Sequence, residues 1–268
     1  MFDACLRIAS LSDWKWRIRK FYQSMGCPFF LFALICWMCL FPFSAEGMDR
    51  ATMENEPKKS SIVAMKNLHL TVLYDNNPFR QGLVTGWGFS CLVEGVGKTI
   101  LFDTGGDGAV LLGNMEELSI DHGEIDIVVL SHAHVDHNGG LEGFLGVNSQ
   151  VSVYLPQSFP NGFKDELRGT KIKIIEVNGP TKICENVYST GELGTLIKEQ
   201  SLIVQTERGI IVITGCAHPS IIEIIKEVKK FIDDEILLVM GGFHLLNRSR
   251  KELEKIISDF RERGVRYV

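Results

Sequence analysis

Four residues able to bind a metal crowd into six positions: His132, His134, Asp136 and His137 in the run HAHVDH. Imidazole nitrogens suit a borderline ion such as zinc, and a carboxylate adds a charged oxygen ligand. In an extended segment, His132 and His134 at i and i+2 point to the same side. Asp136 and His137 then turn with the chain to address a second position nearby. Four ligands on one short loop can serve two ions, provided other segments complete each shell. Such a string arises by chance in far fewer than about one chain in 1000. Gly139 and Gly140 follow, and glycines let the backbone bend tightly behind the ligands.

The element that must position this loop is a strand. IVVLS is an apolar run leading directly into His132, as a buried strand entering a loop. Before it, LHLTVLYDN, GFSCLVEG and KTILFDTG read as short β-rich runs closed by turn residues, and AVLLGNMEELSI has helical spacing. After it, VSVYL, KIKIIEV, SLIVQT and GIIVITG continue the β signal. PSIIEIIKEVKKFIDD reads as an amphipathic helix with Pro219 in its first turn. EILLVMGGFHLL is a strand with a glycine pair at its exit, and RKELEKIISDFRERG is a final helix. Several β runs precede each later helix, so sheets packed together with helices outside are expected, rather than strict βαβ alternation.

Four segments occur in order: ILFDTG (100–105), SHAHVDHNGG (131–140), ITGCAHPSI (213–221) and VMGGFHL (239–245). On these the chain, from about Asn67 to Val268, resembles the metallo-β-lactamase superfamily. The combination LYDN, FDTG, SHxHxDHxGGL, TGCxH and GGFHL is especially similar to one branch. That branch comprises dihydropterin ribofuranosyl-aminobenzene phosphate synthases and metal-dependent hydrolases. The resemblance implies an α+β fold, an αββα sandwich with the metals between the loops at one sheet edge. It also implies that His132, His134 and His218 hold one ion. Asp136 and His137 would hold a second, with Asp103 and His244 completing or bracing it. Asp136 is the expected catalytic residue, orienting the attacking water as a general base.

Two departures from the family pattern stand out. Between His137 and His218 there is no histidine, so His218 must fill the role of the isolated histidine ligand. No aspartate follows Thr214-Gly215, where the family usually has a residue bridging both metals; Cys216 stands there instead. Its thiolate is a good soft ligand, and a small buried apolar residue is an equal reading. His244, after Gly241-Gly242, is either a ligand or a histidine that orients one or touches substrate. The branch also continues past its last helix into a further strand, whereas this sequence stops at Arg266-Tyr267-Val268. Either the fold lacks its C-terminal strand or no histidine later than His244 is needed.

The remaining candidates take plainer readings. His69 lies in an alternating strand, His122 in a polar turn, and Asp75-Asn76 makes a turn. Trp87, Phe89 and Phe243 are core or pocket wall.

Acidic residues outnumber basic ones, 33 against 28 in 268 residues, a net charge of −5. No basic excess exists to neutralise a phosphate backbone, so no nucleic-acid partner is expected. The expected partner is a small-molecule substrate, phosphorylated or not. Residues 14–20 read WKWRIRK, and residues 27–43 carry no charge at all. A basic flank, an apolar run and a small-residue exit describe a signal peptide or signal anchor over 1–47. A polar linker over 48–66 and the domain over 67–268 follow. The run is slightly short of the roughly 20 residues a membrane span needs. The chain is thus expected to be exported, or membrane-anchored through residues 27–43 alone; a true start at Met48 or Met65 would make it cytoplasmic. Of seven cysteines, only Cys91, Cys184 and Cys216 lie in the domain. That odd set makes no disulfide framework.

The sequence therefore reads as a metallohydrolase with one or two divalent ions, zinc first and iron or manganese as alternatives. Its water would attack an ester, phosphoester or related bond. Two other readings stand beside it. One is a synthase joining a dihydropterin pyrophosphate to an aminobenzene ribotide, substrates that an exported protein would not meet. The other is a non-catalytic metal-binding module.

Overall fold

The computed structural model describes residues 63–170 and 172–268. Two sheets carry the strands. The first holds β1 (His69–Tyr74), β2 (Ser90–Glu94), β3 (Ile100–Phe102), β4 (Ile127–Val129), β5 (Ser152–Pro156) and β6 (Lys173–Val177), in that spatial order. Pairing is antiparallel from β1 to β3 and parallel from β3 to β6. The second holds β7 (Thr181–Cys184), β8 (Val187–Ser189), β9 (Leu202–Thr206), β10 (Gly209–Thr214) and β11 (Ile236–Gly241). Its order is β11-β10-β9-β8-β7, antiparallel except for the β10–β11 pair.

Side chains alternate across each strand, and the buried clusters show which face goes where. Ile100 and Phe102 of β3, Ile127 and Val129 of β4, and Ile211 and Ile213 of β10 meet between the sheets. The intervening Leu101 and Val128 point outward to a helical layer with Leu111, Met115, Leu141 and Phe144. Ile210 and Val212 of β10 point the other way, onto Ile221, Ile224, Ile225 and Val228. Each fully buried side chain of this kind contributes roughly 1.5–3 kcal/mol. The outer layers are α1 (Gly108–Glu117), α2 (Val135–Asn138), α3 (Leu141–Val147) and α4 (Asn161–Arg168) on the first sheet's side. On the second sheet's side lie α5 (Ile221–Phe231) and α6 (Arg250–Glu262). The result is the expected α+β, αββα sandwich.

Several expectations need correction. Pro219 lies ahead of α5, not in its first turn: Ser220 is the N-cap, with φ 79°. The folded unit begins before residue 67, because Val63 is buried between the sheets and bridges Thr206. The linker reading therefore loses its last residues, and the rest of it lies outside the described residues. At the C-terminus, where two alternatives stood open, Arg266 N donates to Ile236 O and Val239 N donates to Tyr267 O, which sets residues 266–267 parallel to β11. Export or membrane anchoring is not upheld. Among the described residues no helix is long and apolar enough to cross a membrane. The apolar run 27–43 and the signal reading of 1–47 lie outside them.

Candidate metal centre

β4 runs through Leu130 and Ser131 into the HAHVDH loop. The chain stays extended as far as His134, which caps α2 with φ −78° and ψ 142°. Asp136 and His137 accordingly sit in the first turn of that helix. The extended stretch puts the rings of His132 and His134 on one side, 4.6 Å apart. His218 arrives from the loop between β10 and α5. His132 Nε2 lies 3.1 Å from His134 Nδ1 and 3.2 Å from His218 Nε2. Nitrogens sharing one zinc at about 2.0–2.1 Å in tetrahedral geometry stand about 3.3 Å apart. The three imidazoles therefore fit a single ion.

A second group adjoins the first. His137 Nε2 lies 3.1 Å from Cys216 Sγ and 3.5 Å from Asp136 Oδ2. The ligand atoms of His132, His137 and Cys216 lie within 4.8 Å of one another, as do those of Cys216, His218 and His244. His244 is exposed, with its ring 4.9 Å from that of His218.

Asp103 stands behind these ligands. It is fully buried, and its Oδ1 accepts from Ser131 N at 2.6 Å. Oδ2 accepts from Ser131 Oγ and from His137 Nδ1, each at 2.7 Å. Ser131 Oγ, its proton committed to Asp103, accepts from His132 Nδ1 at 2.9 Å. This placement matches a brace and leaves no carboxylate oxygen facing the cluster.

The electrostatics follow from burial and crowding. Burial, and then the neighbouring imidazoles of His137 and His218, pull His132 down to about 2. Burial, His134 and His244 pull His218 down to about 4. Both rings therefore keep free lone pairs at neutral pH. His137 goes the other way: burial opposes its charge, but the Asp103 carboxylate and Cys216 outweigh it and push it up to about 11.

The backbone is strained at this end of the sandwich. Asp103, Ala217 and His244, none of them glycine, have φ of 55°, 55° and 50°. Such conformations cost about 1–3 kcal/mol each and cluster at functional sites.

A profile of the metallo-beta-lactamase superfamily matches residues 88–224, half of the chain. The chain belongs to the metallo-beta-lactamase superfamily. Tm1679, a metal-dependent hydrolase of that superfamily, has a crystal structure 30% identical in sequence with a TM-score of 0.63. The match covers 74% of this chain and 85% of that one. Methanocaldococcus jannaschii has a 7,8-dihydropterin-6-methyl-4-(beta-D-ribofuranosyl)-aminobenzene-5'-phosphate synthase that is 27% identical over 230 residues, covering 68% of this chain and 78% of the synthase. An uncharacterized protein of the same archaeon is 28% identical over 223 residues, covering 72% of this chain and 85% of its own. The metallo-beta-lactamase fold is a divalent-metal-binding fold, and the His/Cys groups described above are candidate ligands for such an ion.

The plainer candidates stay away from this centre. His69 is exposed, Phe89 packs on Phe102 between the sheets, and Phe243 packs on Phe260. Asp75 closes its own turn through Asn77, while Asn76 Oδ1 accepts from Gly88 N. Trp87 alone of the three aromatics is exposed, on the loop whose Gly88 abuts the Asp136 backbone. Sequence reasoning passed over Ser131, Glu199 and Gln200, all buried beside the ligand loops. Burial pushes the Glu199 carboxyl up, against the hydrogen bonds from His218 and Ala217. The available signal was a Glu-Gln pair set directly against the apolar run SLIVQT, where a solvated loop would need no strand beside it.

Proposed function

We propose that this superfamily member is a metal-dependent hydrolase holding two divalent ions, with zinc as the best chemical match. The observation that carries this is the tripod of His132, His134 and His218, whose nitrogens have the spacing of ligands on one ion. His137, Cys216 and Asp136 would hold the second, with His244 at its exposed side. Mixed imidazole and thiolate donors suit zinc better than magnesium, calcium or manganese. When bound, such ions polarise the scissile group and make water nucleophilic near neutral pH.

The protein's own groups supply the rest. Asp103 accepts from His137 Nδ1 and Ser131 Oγ accepts from His132 Nδ1, which turns each ring's Nε2 toward the cluster; His137 would release its Nε2 proton on binding an ion. Asp136 keeps its side chain one-fifth exposed, unlike buried His137. It can accept a proton from the nucleophile and return it to the leaving group. Trp87 offers substrate an aromatic surface at the rim.

The test is metal analysis after refolding with metal available, followed by panels of esters, phosphodiesters, lactams and thioesters. Turnover that disappears in Asp136→Asn is expected. Less than about a tenth of an equivalent of any transition metal sinks the reading.

The relative named a dihydropterin synthase favours a second reading, in which the same centre assists condensation of a dihydropterin pyrophosphate with an aminobenzene ribotide. Incubation with both substrates and mass detection of the coupled product separates the two. Metal uptake without turnover in either assay would leave the non-catalytic module.

A further inference from the structure

The geometry points to Glu199-Gln200 as a clamp that sets the spacing of the two metal-ligand loops, a positioning role that rests on the metal reading above. Glu199 is buried with its carboxylate inside the loop after β10. Its Oε1 accepts from Thr214 Oγ1 at 2.9 Å and from the N–H groups of Gly215, Cys216 and Ala217, each at 3.0 Å. Its Oε2 accepts from His218 N at 2.8 Å. Four successive amides thus converge on one side chain, so the loop wraps an anion of its own chain. Ala217, held in the left-handed region, is the residue that makes this wrapping possible.

Gln200 reaches the opposite way. Its backbone N donates to Ser131 O at 2.9 Å, and its Nε2 donates to Leu130 O at 2.8 Å. Its Oε1 accepts from Ser189 Oγ, which fixes the amide's orientation. Leu130 and Ser131 lead directly into His132. One residue therefore grips the loop of Cys216 and His218, the next grips the strand end of His132, and a single peptide bond joins them. The two loops belong to different sheets, and the apolar contacts between sheets are non-directional. Directed hydrogen bonds are what bring His132 and His218 to ligand spacing.

Glu199→Gln tests this with little change of volume. An amide has one acceptor oxygen, so its NH2 must face either His218 N–H or the four donors of residues 214–217. We expect folded Glu199→Gln to bind cobalt(II) about 10–100-fold more weakly by chelator competition, the range for groups that orient ligands. Its visible cobalt spectrum, including the Cys216 thiolate-to-cobalt band, should change shape. Gln200→Leu should alter the same spectrum from the His132 side. Asn148→Ala is the control. It removes buried bonds to His122 O (2.7 Å) and Ile125 O (3.0 Å) at the far end of β4, and should lower the melting temperature while leaving the cobalt spectrum unchanged. Should Glu199→Gln be insoluble, Glu199→Asp decides on the same readouts. Variants at both positions with wild-type spectra and affinities within about twofold would overturn the clamp, since they would show none of the loss that ligand-orienting groups cause. Wild-type protein that takes up no cobalt overturns the metal reading instead.

Discussion

Asp103 Oδ2 lies 2.7 Å from His137 Nδ1, with both side chains sealed from solvent. Because the same oxygen also takes the Ser131 hydroxyl proton, one carboxylate orients the His137 ring directly and sets the tautomer of His132 through Ser131. Histidine ligands need this: the nitrogen that is not ligating must donate somewhere. Asp103→Asn cannot serve three donors with one oxygen. Breaking such a buried charged pair should cost roughly 3–5 kcal/mol in urea denaturation of the metal-free protein. Metal affinity should fall about 10–100-fold. Wild-type affinity in a folded variant would show that the brace is dispensable.

Cys216 is decided by a count of ions. If its thiolate is a ligand, Cys216→Ala should reduce bound metal from two equivalents per chain toward one, because the three-imidazole tripod remains whole. The thiolate-to-cobalt absorption should vanish with it. If Cys216 is merely a small buried residue, stoichiometry and spectrum stay as in wild type and only a modest loss of stability appears.

Much of this was legible in the residues. Near-continuous apolar runs in IVVLS and GIIVITG marked β4 and β10, both buried throughout, and the histidines at i and i+2 announced a shared side that the extended backbone provides. What escaped were elements stabilised by position more than by pattern. β7 and β8, in TKICENVYS, are short edge-side strands with mixed burial. α4 is a strongly polar helix. Glu199 escaped for a different reason: a charged side chain reads as solvated unless one knows that five donors surround it. The placement of Asp103 also needed coordinates, because FDTG alone leaves ligand and brace equally open.

The crowded histidines predict an optimum in the stability of the metal-free protein. His132 and His218 are held at about 2 and about 4, below their ordinary 6.5. Below pH 6.5 the unfolded chain takes up protons that these folded rings refuse, so stability is lost as pH falls from 6.5 toward 4. His137, raised to about 11, has the opposite sign: its extra stability is present below 6.5 and lost as pH rises toward 11. Urea midpoints measured in chelator should therefore peak near pH 6.5 and fall on both sides. A profile rising or falling steadily through that pH contradicts the assignment.

Two glycines in neighbouring turns should respond to alanine with opposite signs. Gly146 lies within α3, and a Cβ there meets nothing within 4 Å. Replacing a free helical glycine by alanine removes unfolded-state entropy, so Gly146→Ala should stabilise by roughly 0.5–1 kcal/mol. Gly140, just before that helix, has an ordinary φ of −77°, so conformation is no obstacle. Space is the obstacle, because its Cβ would stand 2.1 Å from Thr104 O. Thr104 follows Asp103 and donates through its N to His137 O at 2.8 Å. Relief of the clash must therefore move the brace relative to the histidine it holds. Gly140→Ala should destabilise by about 1–3 kcal/mol, as overpacking does, and should weaken metal binding, which Gly146→Ala leaves alone. Chemical denaturation and chelator competition on the pair check both claims, and a shared sign would refute the steric account.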